Sequence, residues 1–553
     1  MDRLARKDPW LAAILAGIGF EGEVMIEASE GERPGSVSRW AKVIDHTRCI
    51  GCHACTTACK SENEVPLGVT RTYVKYAEVG LFPEVRRTFQ VTRCNQCDDA
   101  PCVAACPTSA MFRRSDGIVD FDKSACIGCK ACMAACPYDA IFINPEDHSA
   151  EKCNFCAHRL DVGLEPACVV VCPTEAILVG DLDQPGSKVS RIVHRESVAV
   201  RRPEKDTQPK LFYKGAHPAT LDPLAARRPG GGLFLWSEQT EGPGKVVAGH
   251  PEGPGYSLGK GRAAANSSAA ALLAYDIPHG IPWDWRVSLY TLTKGVAAGA
   301  YLVMALAVLA GWAAPASVLW QWAAPVVAGL FLALTGAILI SDLEHPGRFW
   351  MIFTRPQWRS WLVKGAFLIA GYSLVLGAHF AASLAGQAEG LRWLTVAGLP
   401  LAVLTAVYTA WLFAQAKARD LWQSALLPPH LLVQALAAGA AALLPLALWL
   451  EPALVPTLAL GLGVASGLHL LMALGEATLP HPTAHARLAA HEMTAGRYRH
   501  WYRFGLAAAV LAVAAPWLAA SPTGAMLAAV AALAGLAAFE HAFVQAGQSV
   551  PLA

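Results

Sequence analysis

From about residue 287 onward the chain alternates long apolar runs with short polar breaks. Eight runs stand out, at approximately 287–312, 318–341, 361–384, 394–415, 430–450, 456–474, 504–520 and 524–544. Most reach the ~20 residues that, at a rise of about 1.5 Å each, cross a hydrocarbon layer. The seventh is short and Pro516 interrupts it. Any one run fits a buried helix of a soluble protein, but eight in succession predict an all-α transmembrane bundle. Ahead of them, from about 181 to 268, Pro, Gly and charge prevail ("RRPGGG", "EGPGKVVAGHPEGPGYSLGKG") and neither a helical nor a strand period persists, as in a tether. The front of the chain is polar, with short apolar stretches between turn residues. The divisions expected are an N-terminal extension (1–39), a cysteine-bearing domain (40–202), a strap and linker (203–270) and a membrane domain (271–553).

Composition sharpens this division. At 553 residues the chain exceeds one ordinary core, and its 54% hydrophobic content averages a polar front with a lipid-like rear. The net charge of +2 comes with no Lys/Arg block of the kind that binds nucleic acid, so no nucleic-acid partner is expected. The first residues, "MDRLARKDPWLAAILAGIGFEGE", place basic residues before an apolar patch. They lack a small-residue cleavage site and a twin-arginine pair, and are read as mature sequence without an export signal.

All 16 cysteines lie between Cys49 and Cys172, in four groups of four. Cys49, Cys52, Cys55 and Cys59 are spaced C-x2-C-x2-C-x3-C. Cys94, Cys97, Cys102 and Cys106 open the middle gap to four residues. Cys126, Cys129, Cys132 and Cys136 repeat the first spacing, and Cys153, Cys156, Cys168 and Cys172 widen the gap to eleven. The last three groups end in Cys-Pro, and the first in Cys59-Lys60. Three thiolates on a loop that folds back cap one cubic iron-sulfur cluster, while the fourth points to a neighbouring one, so four 4Fe-4S clusters are expected. Zinc is the alternative, although zinc ribbons use two separated pairs. Disulfides suit four cysteines within eleven residues poorly.

These groups resemble the four-cluster ferredoxin-like electron-transfer subunits that partner molybdopterin oxidoreductases, over roughly residues 40–202. The resemblance implies an α+β ferredoxin-like tandem of two two-cluster modules. It also implies the ligand sets: Cys49, Cys52 and Cys55 with Cys172; Cys153, Cys156 and Cys168 with Cys59; Cys94, Cys97 and Cys102 with Cys136; Cys126, Cys129 and Cys132 with Cys106. The stretch "PKLFYKGAHPATLDPL" is similar to the tail of that family, which implies an ordered strap on the same domain.

In the rear half, ionisable residues within or beside the apolar runs are costly, on the order of 3 kcal/mol near a bilayer centre, so each is a candidate for function. Tyr290 and Lys294 share one helical face; Asp342 and His345 end the second run with Arg348 beyond; Lys364 enters the third; His469 and Glu476 stack two turns apart on the sixth. Basic residues favour one set of loops: Arg286, Arg348, Arg355, Arg359, Lys417, Arg419, Arg487, Arg497, Arg499 and Arg503, against Arg392 opposite. By the positive-inside rule this puts the cysteine domain on the cytoplasmic side of the inner membrane. Export beside a folded partner remains the alternative. Trp283, Trp285, Trp320 and Trp358 read as an aromatic belt, and His279 as a plain loop residue.

The stretches "YDIPHGIPWDWRVSLYTLTKGVAAGAYL", "SDLEHPGRFWMIFTRPQWRSWLVKGAF" and "GEATLPHPTAHARLAAHEMTAGRYRHWY" resemble the NrfD-like, polysulfide-reductase type of eight-helix membrane subunit. The resemblance implies electron exchange with menaquinone or ubiquinone near the start of the first span, at Tyr290 and Lys294 with Asp342, His345 and Arg348 adjoining. His469 and Glu476 suit a proton path. The whole then implies an electron-transfer and membrane-anchor subunit serving a separate molybdopterin catalytic subunit. The alternatives are a redox-coupled ion translocator, a hydrogenase-type quinone-coupling subunit and a passive anchor.

Overall fold

The computed structural model describes residues 38–80, 83–226 and 271–553. The expectations for the N-terminal extension through residue 37, and for residues 227–270 of the tether, lie outside the described residues.

The front half is a mixed α/β ferredoxin-like region. Its strands are β1 (Trp40–Asp45), β2 (Thr72–Val79), β3 (Arg86–Arg93), β4 (Met111–Arg113), β5 (Val119–Phe121), β6 (Ile141–Ile143), β7 (Ala150–Lys152), β8 (Ile177–Asp181), β9 (Val198–Ala199), β10 (Leu211–Lys214) and β11 (Leu272–Tyr275). Its helices are short: α1 (Ala54–Glu62), α2 (Pro101–Ala105), α3 (Ala131–Ala135), α4 (Ala157–Leu160), α5 (Ala167–Val170), α6 (Lys188–Arg195) and α7 (Pro218–Leu221). One sheet runs β8-β1-β10-β9, so the stretch read as a strap supplies β10, parallel to β1. A second sheet runs β11-β2-β3, and β4-β5 and β6-β7 are two small hairpins. Strand β11 belongs to the chain entering the membrane region, yet it pairs antiparallel with β2 of the cysteine domain.

The rear half is all helical: α8 (Trp285–Leu309), α9 (Ala324–Ser341) entered through one π turn at Leu319–Ala323, α10 (Met351–Thr354), α11 (Trp361–Leu384), α12 (Ala388–Gln415), α13 (Leu427–Leu450), α14 (Val455–Thr478), α15 (Ala484–Thr494), α16 (Arg499–Val513), α17 (Ala515–Leu518) and α18 (Pro522–Gln548). Seven of these segments are long and apolar enough to cross a membrane, not the eight expected. The exception is the run at 504–520. Helix α16 stops at Val513 after 15 residues and α17 adds four more, because Pro516 has no N–H to offer the carbonyl four residues earlier and its ring crowds that turn.

Helix α8 lies at the centre of the bundle. It crosses α13 so closely that a β-carbon on Gly299 would stand 1.7 Å from the Ala435 carbonyl oxygen, and one on Gly439 2.0 Å from the Gly299 carbonyl carbon. In an apolar solvent, packing of this kind replaces the hydrophobic drive that holds soluble helices together.

Candidate functional site

In each cysteine group the third residue of the opening C-x-x-C takes a positive φ: Gly51 (69°), Gln96 (48°), Gly128 (71°) and Phe155 (66°). A left-handed residue there turns the loop back on itself, bringing the thiols together. Gly adopts this conformation freely, whereas Gln96 and Phe155 do so at a cost. The folded loops place Cys172 beside Cys49 and Cys55, and Cys59 beside Cys153, Cys156 and Cys168. Cys136 lies beside Cys94, Cys97 and Cys102. Cys106, Cys126, Cys129 and Cys132 line one cavity.

Backbone N–H groups aim at these sulfurs, from Ala176 to Cys172 (3.2 Å), Met111 to Cys106 (3.3 Å), Gln96 to Cys94 (3.4 Å) and Ala150 to Cys126 (3.4 Å). Among the described residues no three His, Cys, Asp or Glu side chains are placed to hold a single metal ion. Burial pushes the Cys55 thiol up to about 11 and Cys59 to about 12. At Cys168 burial acts the same way, but Arg93 and Lys42 outweigh it and bring the thiol down to about 7.

The third group docks on the membrane region through its backbone. The N–H of His345 donates to the Ile127 carbonyl at 3.2 Å and that of Glu344 to the Gly128 carbonyl at 3.4 Å. Arg348 donates to the carbonyls of Lys123 and Cys126, both at 3.0 Å, and Lys130 pairs with Glu344 at 3.0 Å. Ser360 donates to Ala105 (2.9 Å) and the indole N–H of Trp283 to Cys129 (3.1 Å). Farther along this interface Lys417 pairs with Asp99 at 2.9 Å, and Lys205 with Asp420.

Directly beneath lies an apolar pocket of about 240 Å³, lined by Cys129 and Trp283 from the junction and by Tyr290, Asp342, Tyr408 and Phe413 among others. The hydroxyl of Tyr290 reaches Thr409 Oγ1 at 3.5 Å, and Lys294 Nζ donates to the same oxygen and to the Ala406 carbonyl, both at 2.7 Å. Lys294 therefore stands behind the pocket wall and touches Tyr290 through Thr409. Asp342, just past the end of α9, is pushed up to about 6 by burial, with Lys130 opposing. Of the five residues expected at a quinone site, Tyr290 and Asp342 line the pocket, Lys294 backs it, and His345 and Arg348 sit in the docking seam instead. Lys364 lies with its ammonium 4.4 Å over the Trp361 ring.

The expected pair on the sixth run is joined by a residue the sequence reading passed over. His430 Nε2 is 2.8 Å from His469 Nδ1, and His430 Nδ1 is 3.4 Å from Glu476, all buried. Buried Glu540 faces the same region, hydrogen-bonded to Thr291, with Lys294 and His430 nearby. Two belt tryptophans also prove buried: Trp283 stacks on Trp422 with ring centroids 5.5 Å apart, and Trp320 packs edge-on against His379. Trp285 and Trp358 are exposed as expected. His279 is held between Asp139 of the cysteine domain and Asp276.

Residues 276–552 match the family model described as polysulphide reductase, NrfD, and residues 85–182 match a 4Fe-4S dicluster domain. The front half is similar to a tetrathionate reductase subunit of Salmonella typhimurium, 44% identical over 234 residues, 40% of this chain and 92% of the relative. It is also similar to the thiosulfate reductase electron transfer subunit PhsB of Salmonella typhi, 46% identical over 24% of this chain and 69% of the relative. A putative dimethyl sulfoxide reductase iron-sulfur subunit of Halobacterium salinarum is 40% identical over 24% of this chain and 62% of its own length.

Proposed function

The chain belongs to the NrfD polysulphide-reductase family, joined to a 4Fe-4S dicluster domain of the electron-transfer subunit type, and from that premise we propose that it relays electrons between a separate catalytic subunit and membrane quinone. The single observation that carries this reading is the apolar pocket whose wall is shared by Cys129, Tyr290 and Asp342. It brings a cysteine of the front half and proton-bearing groups of the bundle to one cavity at the membrane surface.

In this reading each of the four cysteine quartets holds one 4Fe-4S cluster, and the clusters supply one-electron relay. The protein's own residues do the rest. The backbone ladder between residues 127–128 and 344–345 fixes the third quartet over the pocket. Aromatic and aliphatic walls bind a menaquinone or ubiquinone ring. Tyr290, held by Thr409 and Lys294, offers a hydroxyl to one carbonyl, and Asp342 exchanges a proton at the rim. The broken α16–α17 pair, packed against α18, serves as an eighth crossing. Relatives named for tetrathionate and thiosulfate reductases favour a reductase of an inorganic sulfur species as the catalytic partner, and the resemblance of the cysteine groups favours a molybdopterin enzyme. The basic loops favour the cytoplasmic face for the cluster domain.

A second reading rests on its own observation. His430, His469, Glu476 and Glu540 form a buried titratable group inside the bundle, suited to carrying protons inward to the pocket or across the membrane.

The test uses the full chain in proteoliposomes, its clusters reduced chemically and then reoxidised by a quinone analogue. Tyr290→Phe and Asp342→Asn are expected to slow reoxidation at least ~10-fold with iron content unchanged. Unchanged rates in both variants would leave a passive anchor.

A further inference from the structure

We infer that the cluster of Cys153, Cys156, Cys168 and Cys59 has the highest midpoint potential of the four, because two buried cations, Arg93 and Lys42, with no carboxylate partner among the described residues, are directed at Cys168. The inference rests on the four-cluster reading above and ranks what the cysteine spacing leaves unranked.

Arg93 is 1% exposed and Lys42 fully buried. Arg93 Nη1 donates to Cys168 Sγ at 2.9 Å, and Lys42 Nζ lies 3.7 Å from the same sulfur and 4.1 Å over the Phe155 ring. Asn63 Nδ2 adds a neutral donor, 3.7 Å from the sulfurs of both Cys59 and Cys156. Of the other buried cations of this domain, Arg71 is matched by Glu151, Lys75 by Asp276, Lys210 by Asp98 and Arg202 by Glu204, while Arg201 donates to the Leu552 carbonyl. Lys152 faces Cys94 and Cys102 of the second quartet, but it donates to the carbonyls of Val119 and Cys153 rather than to a sulfur. Arg93 has no such partner among the described residues; its Nε and Nη2 make no hydrogen bond, and its charged neighbours are Cys168, Cys55 and Cys153.

A buried, unmatched guanidinium is costly, so its counter-charge must be supplied locally. A thiolate-ligated cubane carries net negative charge and gains one more on reduction. Cations at hydrogen-bond range stabilise the reduced form more than the oxidised one and raise the potential. Among the described residues no other cysteine sulfur accepts a hydrogen bond from a charged side chain. The third quartet instead has the carboxylate of Asp342 near Cys129. Because Cys153 also neighbours Cys94 of the second quartet, an electron comes to rest at the junction between the two modules.

Redox titration of the full chain followed by electron paramagnetic resonance tests this, with Cys168→Ser marking the signal of this cluster by altering or removing it. The expected result is that the marked signal is the first to be reduced, and that its midpoint falls in Arg93→Gln and in Lys42→Met but not in Arg93→Lys, while the signals of the second and third quartets hold. A marked signal that is not the first reduced in the unmodified protein overturns the inference, whether or not the variants assemble. So does a midpoint unmoved in both charge-removing variants. About sixteen irons per chain with a different ranking rejects this inference alone; a chain that binds no such clusters rejects the four-cluster reading with it.

Discussion

A methyl group at residue 128 would have nowhere to go. Gly128 has φ +71°, and a β-carbon there would meet the Glu344 side chain at 2.4 Å and its backbone nitrogen at 2.9 Å. Gly128→Ala is therefore expected to lift the third cysteine loop off the bundle and slow electron transfer to quinone by on the order of 10-fold or more, with iron content retained; stopped-flow reoxidation measures it. Behind the pocket, Thr409→Val removes the one oxygen that Tyr290 and Lys294 share. It leaves a buried ammonium short of an acceptor, at about 1–3 kcal/mol, and lowers quinone turnover while leaving the clusters intact. Thr409 is neutral and ordinary in a helix, so nothing in the chain sequence marks it. Glu540 differs: it is a carboxylate inside an apolar run, as costly there as Glu476 and as visible in the sequence. His430 in the fifth run carried the same signal.

At the scale of the element, the most exacting contact is the crossing of α8 and α13 at Gly299 and Gly439. Gly299→Val forces two backbones apart, and a loss of roughly 3 kcal/mol is expected in denaturant unfolding in detergent, with a lower midpoint and unchanged absorbance per folded chain. The elements most legible in the sequence were those written in local repeats. Cys-Ile-Gly-Cys occurs at residues 49–52 and 126–129, and both copies fold into the same left-handed turn. Apolar runs of sufficient length became seven helices, while Pro516 accounts for the shortened one. What escaped was decided by partners far away in the chain. Trp283 reads as an interfacial residue until Cys129 accepts its N–H, and Arg348 reads as chemistry until the carbonyls of Lys123 and Cys126 occupy its guanidinium, with the His345 backbone bonded to Ile127 beside it. The strand character of residues 272–275 exists only because β2 presents an open edge.

Across the whole molecule, basic residues of the membrane region's loops fasten the front half to it. Arg348 and Lys417 contact the cysteine domain, whereas Arg419 stays within the membrane region, donating to the carbonyls of Gln548 and Val550. Part of the charge bias thus serves docking. His279 is expected to make that docking sensitive to pH. Burial alone would lower it, but Asp276 and Asp139 outweigh this and raise it to about 9. Since the folded value lies above the ordinary 6.5, the stabilisation is complete below pH 6.5 and is lost as pH rises through about 9, amounting to at most about 3 kcal/mol. Thermal unfolding followed between pH 6 and 10 should show this decline, and His279→Gln should flatten it. One consequence concerns the single polypeptide itself. Because β11 has already re-entered the front sheet before the first membrane helix begins, covalent continuity through residues 227–270 is redundant for cohesion. A gene split there should yield two polypeptides that copurify as one particle, much as if the fusion had never taken place.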